Sequence, residues 1–267
     1  MNDITLGQFI PGNSVVHRLD SRTKLGALIG YIAAIFLIQS LPLFLLPLLF
    51  IIATLLLANI SLHYIWKSLK PIRFLLIFMF ILNIFIANGD TVLFSFWILT
   101  VTKEALRQAV FITLRLALLV SGSSLLTLTT SPLQLTNGLE KALSPLNMLH
   151  FPVHELAMMM TIALRFIPTL MEETDKIRKA QMARGVDFET GGPITRAKAM
   201  LPILIPLFVS AFRRADELAM AMESRCYHGG EGRTKLHALR YNKNDLIAAL
   251  ILLVMLAAIL ILNRILG

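Results

Sequence analysis

Two arginines stand out by their setting. Arg184 sits in Ala183-Arg184-Gly185 and Arg225 in Ser224-Arg225-Cys226, and each triplet ends a long stretch of helical pattern. Asp175 precedes the first arginine by nine positions and Asp216 precedes the second by the same nine. A Gly-Gly pair follows each, at Gly191-Gly192 and Gly229-Gly230, so the two segments form a weak internal repeat. An arginine at a helix C-terminus complements the negative end of the helix dipole. Its guanidinium offers five donors in a rigid fork suited to carboxylates or carbonyls in a partner's groove. The small residues Ala183 and Ser224 let another backbone come close. Gly185 is suited to the left-handed conformation that closes a helix. The bland account is a pair of solvated helix-end charges, and the shared spacing weighs against it. Two similar prongs point to two similar partners.

Other candidate chemistry is thin. No glycine-rich phosphate loop with Lys-Ser/Thr is present, so ATP hydrolysis is not expected of this chain. His150 and His154 are four apart, but Pro152 between them argues against a helical metal site. Glu172, Glu173 and Asp175 alternate with Lys176, Arg178 and Lys179, the pattern of a solvated, ion-paired helix face. A membrane-embedded enzyme using those acids therefore lacks a catalytic constellation. No metal or cofactor site is expected.

The elements that must hold the arginines are strongly apolar. Of 267 residues, 56% are hydrophobic and only 15% charged, with mean hydropathy +0.73. Several stretches approach the roughly 20 residues that cross a hydrocarbon core of about 30 Å. The expectation is an all-α polytopic membrane protein with about five transmembrane helices. The net charge of +9 has its basic residues beside apolar segments, which sets topology and favours anionic headgroups rather than nucleic acid. The lone Cys226 excludes an internal disulfide. The polar, charged first 24 residues predict no cleavable signal peptide.

Leu25 to Leu62 carries no charge and is too long for one helix, so it predicts a hairpin broken at Gln39-Ser40-Leu41-Pro42. A basic loop, His63 to Arg73, follows. A third span is expected over Phe74–Asn88, closed by Gly89-Asp90. Thr91–Thr102 is short and reads as interfacial or re-entrant. A fourth span covers Gln108–Thr129, with Arg115 snorkelling or paired within the bundle and Ser121-Gly122-Ser123-Ser124 set for close packing. The last covers Leu246–Asn263. Three parts result: residues 1–130 with spans one to four, a cytoplasmic module at 131–244, and a C-terminal span at 245–267. Loop charges place the N-terminus and that module in the cytoplasm. The module should hold a short helix from Ser131-Pro132 to Leu143 and two long helices. The first is kinked at Pro168, and the second contains Pro202 and Pro206. Each has an apolar half and a charged half. A membrane protein with two such prongs and no catalytic set reads as a coupling subunit; a substrate-contacting permease subunit is the alternative.

At this point the chain resembles the CbiQ/EcfT family, the transmembrane coupling (T) components of energy-coupling factor (ECF) transporters. The resemblance spans nearly the whole length. It rests on Gly7-Gln8-Phe9-Ile10-Pro11-Gly12-Asn13-Ser14 with His17-Arg18-Leu19-Asp20, and on Leu164-Arg165-Phe166-Ile167-Pro168. It rests further on Ala180-Gln181-Met182-Ala183-Arg184-Gly185 and Ala219-Met220-Ala221-Met222-Glu223-Ser224-Arg225. It implies that the two arginine motifs dock into two ABC-type ATPase subunits, EcfA and EcfA′, which hold the ATP and Mg²⁺. It also implies a membrane-embedded substrate-binding S component on the apolar halves of the long helices, one module being able to serve several. The expected setting is a prokaryotic cell membrane and the expected role vitamin or micronutrient uptake. Met158, Met159, Met160, Met200, Met220 and Met222 offer a flexible surface suited to varied partners. Arg184 sits in a full motif. Arg225 sits in a departure, because Cys226 replaces the glycine, and helix termination there is expected to fall to Gly229-Gly230.

Overall fold

The computed structural model describes residues 9–86, 91–96, 99–149, 151–188, 190–230 and 239–266. Gly7, Gln8, the Asn88–Asp90 closure of the third span and His150 lie outside the described residues. The architecture is helical. The helices are α1 (Ser21–Leu37), α2 (Leu45–Ala58), α3 (Leu62–Leu69), α4 (Arg73–Ile86), α5 (Lys103–Thr129), α6 (Pro132–Leu143), α7 (Val153–Ala183), α8 (Pro193–Glu223) and α9 (Lys243–Leu266). Between α4 and α5 a short antiparallel hairpin, β1 (Val92–Phe96) and β2 (Leu99–Thr102), pairs Phe96 with Leu99 and Val92 with Thr102. This hairpin occupies the stretch expected to be interfacial or re-entrant.

Among the described residues, six helical stretches are long and apolar enough to cross a membrane. They are Leu41–Ala58, Leu62–Phe85, Lys103–Thr129, Val153–Ala183, Pro193–Glu223 and Lys243–Ile265. The count differs from five because both long helices of the 131–244 block qualify, while α1 has 17 residues. Residues 63–73, expected as a basic loop, are helical instead. The Ser61 hydroxyl caps α3 by accepting the His63 N–H at 3.2 Å. Ile65 and Ser68 are then buried on its inner face. A 3-10 turn at Lys70–Ile72 links α3 to α4 at Pro71, which has no N–H to extend an α-helical ladder.

The chain forms two compact units, Met1–Ala142 with Leu239–Gly267, and Leu143–Ala238. In the first, α1 packs on α5 and α9, and α5 on α2, α3 and α4. Tyr31, Ile35, Ile38, Leu55, Leu128 and Ile259 are among its largest fully buried side chains. Tyr31 stacks on Phe50, and Phe44 meets Phe111 edge-on. Helix α6 belongs to this unit, with Gly138 seated against Ser21.

One end of the unit is sealed by buried polar groups. The Lys24 ammonium donates to the carbonyls of His17 at 3.2 Å and Thr129 at 2.9 Å, tying α1 to the end of α5. Asp245, 4% exposed, accepts the backbone N–H of Asp20 at 2.8 Å and so pins the start of α9 to the start of α1. Burial pushes the Asp20 carboxyl up, but hydrogen bonds and charge from Arg22 outweigh it and hold the group below the ordinary carboxylate range. At the far end, Asn263 donates to the Leu37 carbonyl and accepts from the Gln39 N–H. Arg115 is paired within the bundle: it donates to the Ile38 carbonyl at 2.8 Å and lies over Phe111.

Close packing through small residues is direct at Gly122. A Cβ there would stand 2.3 Å from the Tyr31 ring, whose hydroxyl donates to Leu118. Gly26, in contrast, faces open space. Gly122→Ala should therefore lower stability by about 1–3 kcal/mol, whereas Gly26→Ala should raise it by roughly 0.5–1 kcal/mol. Thermal unfolding of the detergent-solubilised chain distinguishes the two; equal shifts would contradict this packing.

Candidate functional site

Helices α7 and α8 form the second unit and pack on each other. Each has 31 residues, on the order of 46 Å of helix. Their contacts fix an antiparallel arrangement. Gln181 reaches Pro202, Glu173 pairs with Arg214 at 2.9 Å, and Met158 with Ile162 shares a cleft with Leu218 and Met222. As the number rises on one helix it falls on the other. Arg184 and Arg225 therefore lie toward opposite ends of the pair, on the order of 40 Å apart along its axis at 1.5 Å per residue.

Both arginine helix ends close the same way. In α7, Gly185 takes φ +87° and donates to the Met182 carbonyl at 3.0 Å, while Val186 donates to Gln181 at 3.1 Å. In α8, Cys226 takes φ +55° and donates to Glu223 at 2.8 Å, while Tyr227 donates to Met222 at 3.1 Å. These paired bonds are the Schellman termination, with the arginine one residue before the left-handed position in both. The expectation that Gly229-Gly230 would end α8 is thus corrected. Cys226 itself turns the chain, because the two closing hydrogen bonds offset a conformation that is strained for a side chain with a Cβ.

Arg184 and Arg225 are exposed, as are Ala183, Gly185, Ser224 and Cys226. Among the described residues neither guanidinium has a hydrogen-bond or ion-pair partner. Two forks in the same local frame are thus presented outward. Ser224 is further tied down, donating to the Ala221 carbonyl at 3.1 Å.

The helices run uninterrupted through Pro168, Pro202 and Pro206. Pro206 has no N–H for the carbonyl of Pro202, one turn earlier. The Gln181 amide approaches that carbonyl at 3.5 Å from the other helix, a long contact. Gln181 is thus both part of the Arg184 termination and a tie to α8, a role that spacing alone did not reveal. Of the acidic cluster, Glu173 is engaged with Arg214 across the pair.

The methionines divide. Met158 and Met222 line one cleft of about 390 Å³ together with Arg225, and Met159, Met160 and Met220 are exposed. Met200 is not with them: it lines a cleft with Pro193 and Arg196 at the start of α8, toward the Arg184 end. Next to it, Leu201, Leu204, Ile205, Phe208 and Phe212 are all exposed, a continuous apolar face on α8. The antiparallel packing sets this face beside the charged half of α7, so the two apolar halves are not side by side.

The closures respond oppositely to substitution. Gly185→Ala should destabilise the α7 end by about 1–2 kcal/mol, the strain of a Cβ in the left-handed region. Cys226→Gly should relieve strain at the α8 end by about 1 kcal/mol. Amide hydrogen exchange at 182–186 and 222–227 reads both, and no change at either site would contradict these closures.

Comparison with known proteins matches this sequence to a family. The family model described as CbiQ, cobalt transport protein, matches residues 12–236. A protein of Thermosediminibacter oceani is 53% identical over 93% of both chains. One of Clostridium kluyveri is 52% identical over 99% of this chain and 98% of its own, and one of Bacillus subtilis 47% identical over 99% of both. Each is named an energy-coupling factor transporter transmembrane protein EcfT. With its helices long and apolar enough to span a bilayer, the chain is a multi-pass membrane protein and belongs to the CbiQ/EcfT family of energy-coupling factor transporter transmembrane proteins.

Proposed function

We propose that this chain is the mechanical coupling subunit of its transporter. Arg184 and Arg225 dock into two ATPase subunits, which hold ATP and Mg²⁺. ATP-driven movement of those subunits displaces the two helix ends relative to one another. The α7–α8 pair carries that displacement to a membrane-embedded S component, which reorients and releases a vitamin-type micronutrient inside the cell. The chain itself binds no cofactor and performs no chemistry in this reading. The observation that carries it is the pair of outward arginines, in the same helix-ending frame, at opposite ends of one antiparallel pair. Two ATPases in different states would engage the two ends differently, as a coupled conformational change requires. The exposed face Leu204, Ile205, Phe208 and Phe212 offers apolar area for the S component.

Losing a buried interfacial charge costs on the order of 2–5 kcal/mol. The double variant Arg184→Glu, Arg225→Glu, inserted at wild-type level, should fail to co-purify with ATPase subunits from mild detergent and should abolish uptake. Intact assembly and uptake would overturn the proposal; substrate binding by the chain alone would favour a permease instead.

The proposed topology places α7 and α8 ends in the cytoplasm. Cys226, the single cysteine and exposed, reports on it directly. In cells expressing this chain alone, a membrane-impermeant maleimide should label Cys226 only after permeabilisation. Labelling of intact cells would reverse the topology.

A further inference from the structure

We propose that the outer face of the α3–α4 junction is a binding surface for the headgroup of an anionic phospholipid. Lys67, Lys70 and Arg73 recur at intervals of three. In a regular α-helix that spacing drifts around the axis, but here a 3-10 turn covers Lys70–Ile72. Three residues make one full 3-10 turn, so side chains at i and i+3 eclipse. Lys70 and Arg73 are thereby brought into line, with Lys67 and His63 within roughly 60° of them by helical geometry. All four are exposed. The opposite side of the same helix carries the buried Ile65 and Ser68, packed toward α5. The row therefore points away from its own protein.

Three observations select the occupant. First, the charge is of one sign: no acidic residue occurs between Asp20 and Asp90, and among the described residues no ion pair is recorded for Lys67, Lys70 or Arg73. A cation aiding the C-terminus of α3 through the helix dipole explains Lys67 and Lys70, but not Arg73 at the start of α4. Second, the row is flanked on its two sides by Trp66 and Phe74, 74% and 77% exposed. Exposed aromatic residues beside lysine and arginine are the composition of a membrane–water interface. Third, the row lies in the first half of the candidate membrane span Leu62–Phe85, and the part that continues beyond Arg73 is uncharged and strongly apolar, so the cations stand at one end of the uncharged part of that span. Phosphate in the lipid headgroup layer lies where they point. A soluble anion would satisfy the charges but leave Trp66 and Phe74 in water.

The test uses the full-length chain purified in neutral detergent, its thermal unfolding followed with added phosphatidylglycerol or phosphatidylcholine. Phosphatidylglycerol should raise the midpoint by several degrees and phosphatidylcholine should not. In Lys67→Gln, Lys70→Gln, Arg73→Gln, the phosphatidylglycerol needed for half of that gain should rise roughly tenfold or more, since each cation near an anionic surface contributes separately. The exposed pair Lys103→Gln, Arg107→Gln should behave as wild type. Should the triple variant not insert, Lys70→Gln alone should still show a rise of a fewfold, and Lys67→Arg with Lys70→Arg should show none. Glycerol phosphate should not substitute for the lipid; equal protection by it would assign the row to a soluble anion and overturn the proposal. An unchanged response in the triple variant, or equal stabilisation by phosphatidylcholine, would overturn it as well.

Discussion

A carbonyl freed from its helix and buried away from water must find a donor within the protein, and much of this fold follows from the side chains that supply one. Lys24 serves His17 and Thr129, Arg115 serves Ile38 and Gln181 approaches Pro202, while Asn263 serves Leu37 in the same way at an exposed helix end. Each donor comes from a different segment than its acceptor, so each satisfied carbonyl is also a tertiary tie. Apolar packing between transmembrane helices is not directional, and lipid competes for it. These polar ties set register where the apolar surfaces alone would permit sliding.

The same economy appears at the arginine helix ends. Termination by two backbone bonds leaves the arginine free of any role in capping its own helix, so its side chain is available to something else. Ser224 and Ala183 keep the neighbouring position small. That Cys226 adopts the left-handed conformation shows that the closing bonds, not the glycine, define this helix end; glycine only makes it less strained.

Much of this was legible in the sequence. The uncharged runs marked the bundle helices, Ser131-Pro132 marked the start of α6, and Ala183-Arg184-Gly185 marked the end of α7. What escaped had identifiable physical reasons. Lys67, Lys70 and Pro71 read as loop residues, but Ser61 caps a helix there and one buried face holds it. Cys226 was discounted because intrinsic preference for positive φ is a local property, while the pair of closing bonds depends on the whole turn. The placement of the two motifs escaped for a topological reason. A repeat in sequence suggests parallel prongs, yet the short connection between α7 and α8 turns the second copy around, and the methionines are separated by the same reversal.

That reversal has a rotational consequence. A helix advances about 100° per residue. The Glu173–Arg214 and Gln181–Pro202 ties fix α7 in azimuth against α8. Removing a single residue between Gln181 and Arg184 would leave the length almost unchanged, at about 1.5 Å shorter, but would swing Arg184 through more than a quarter-turn while Arg225 stayed put. The pair is therefore a gauge of angle more than of distance, and a partner gripping both ends would sense a torsion.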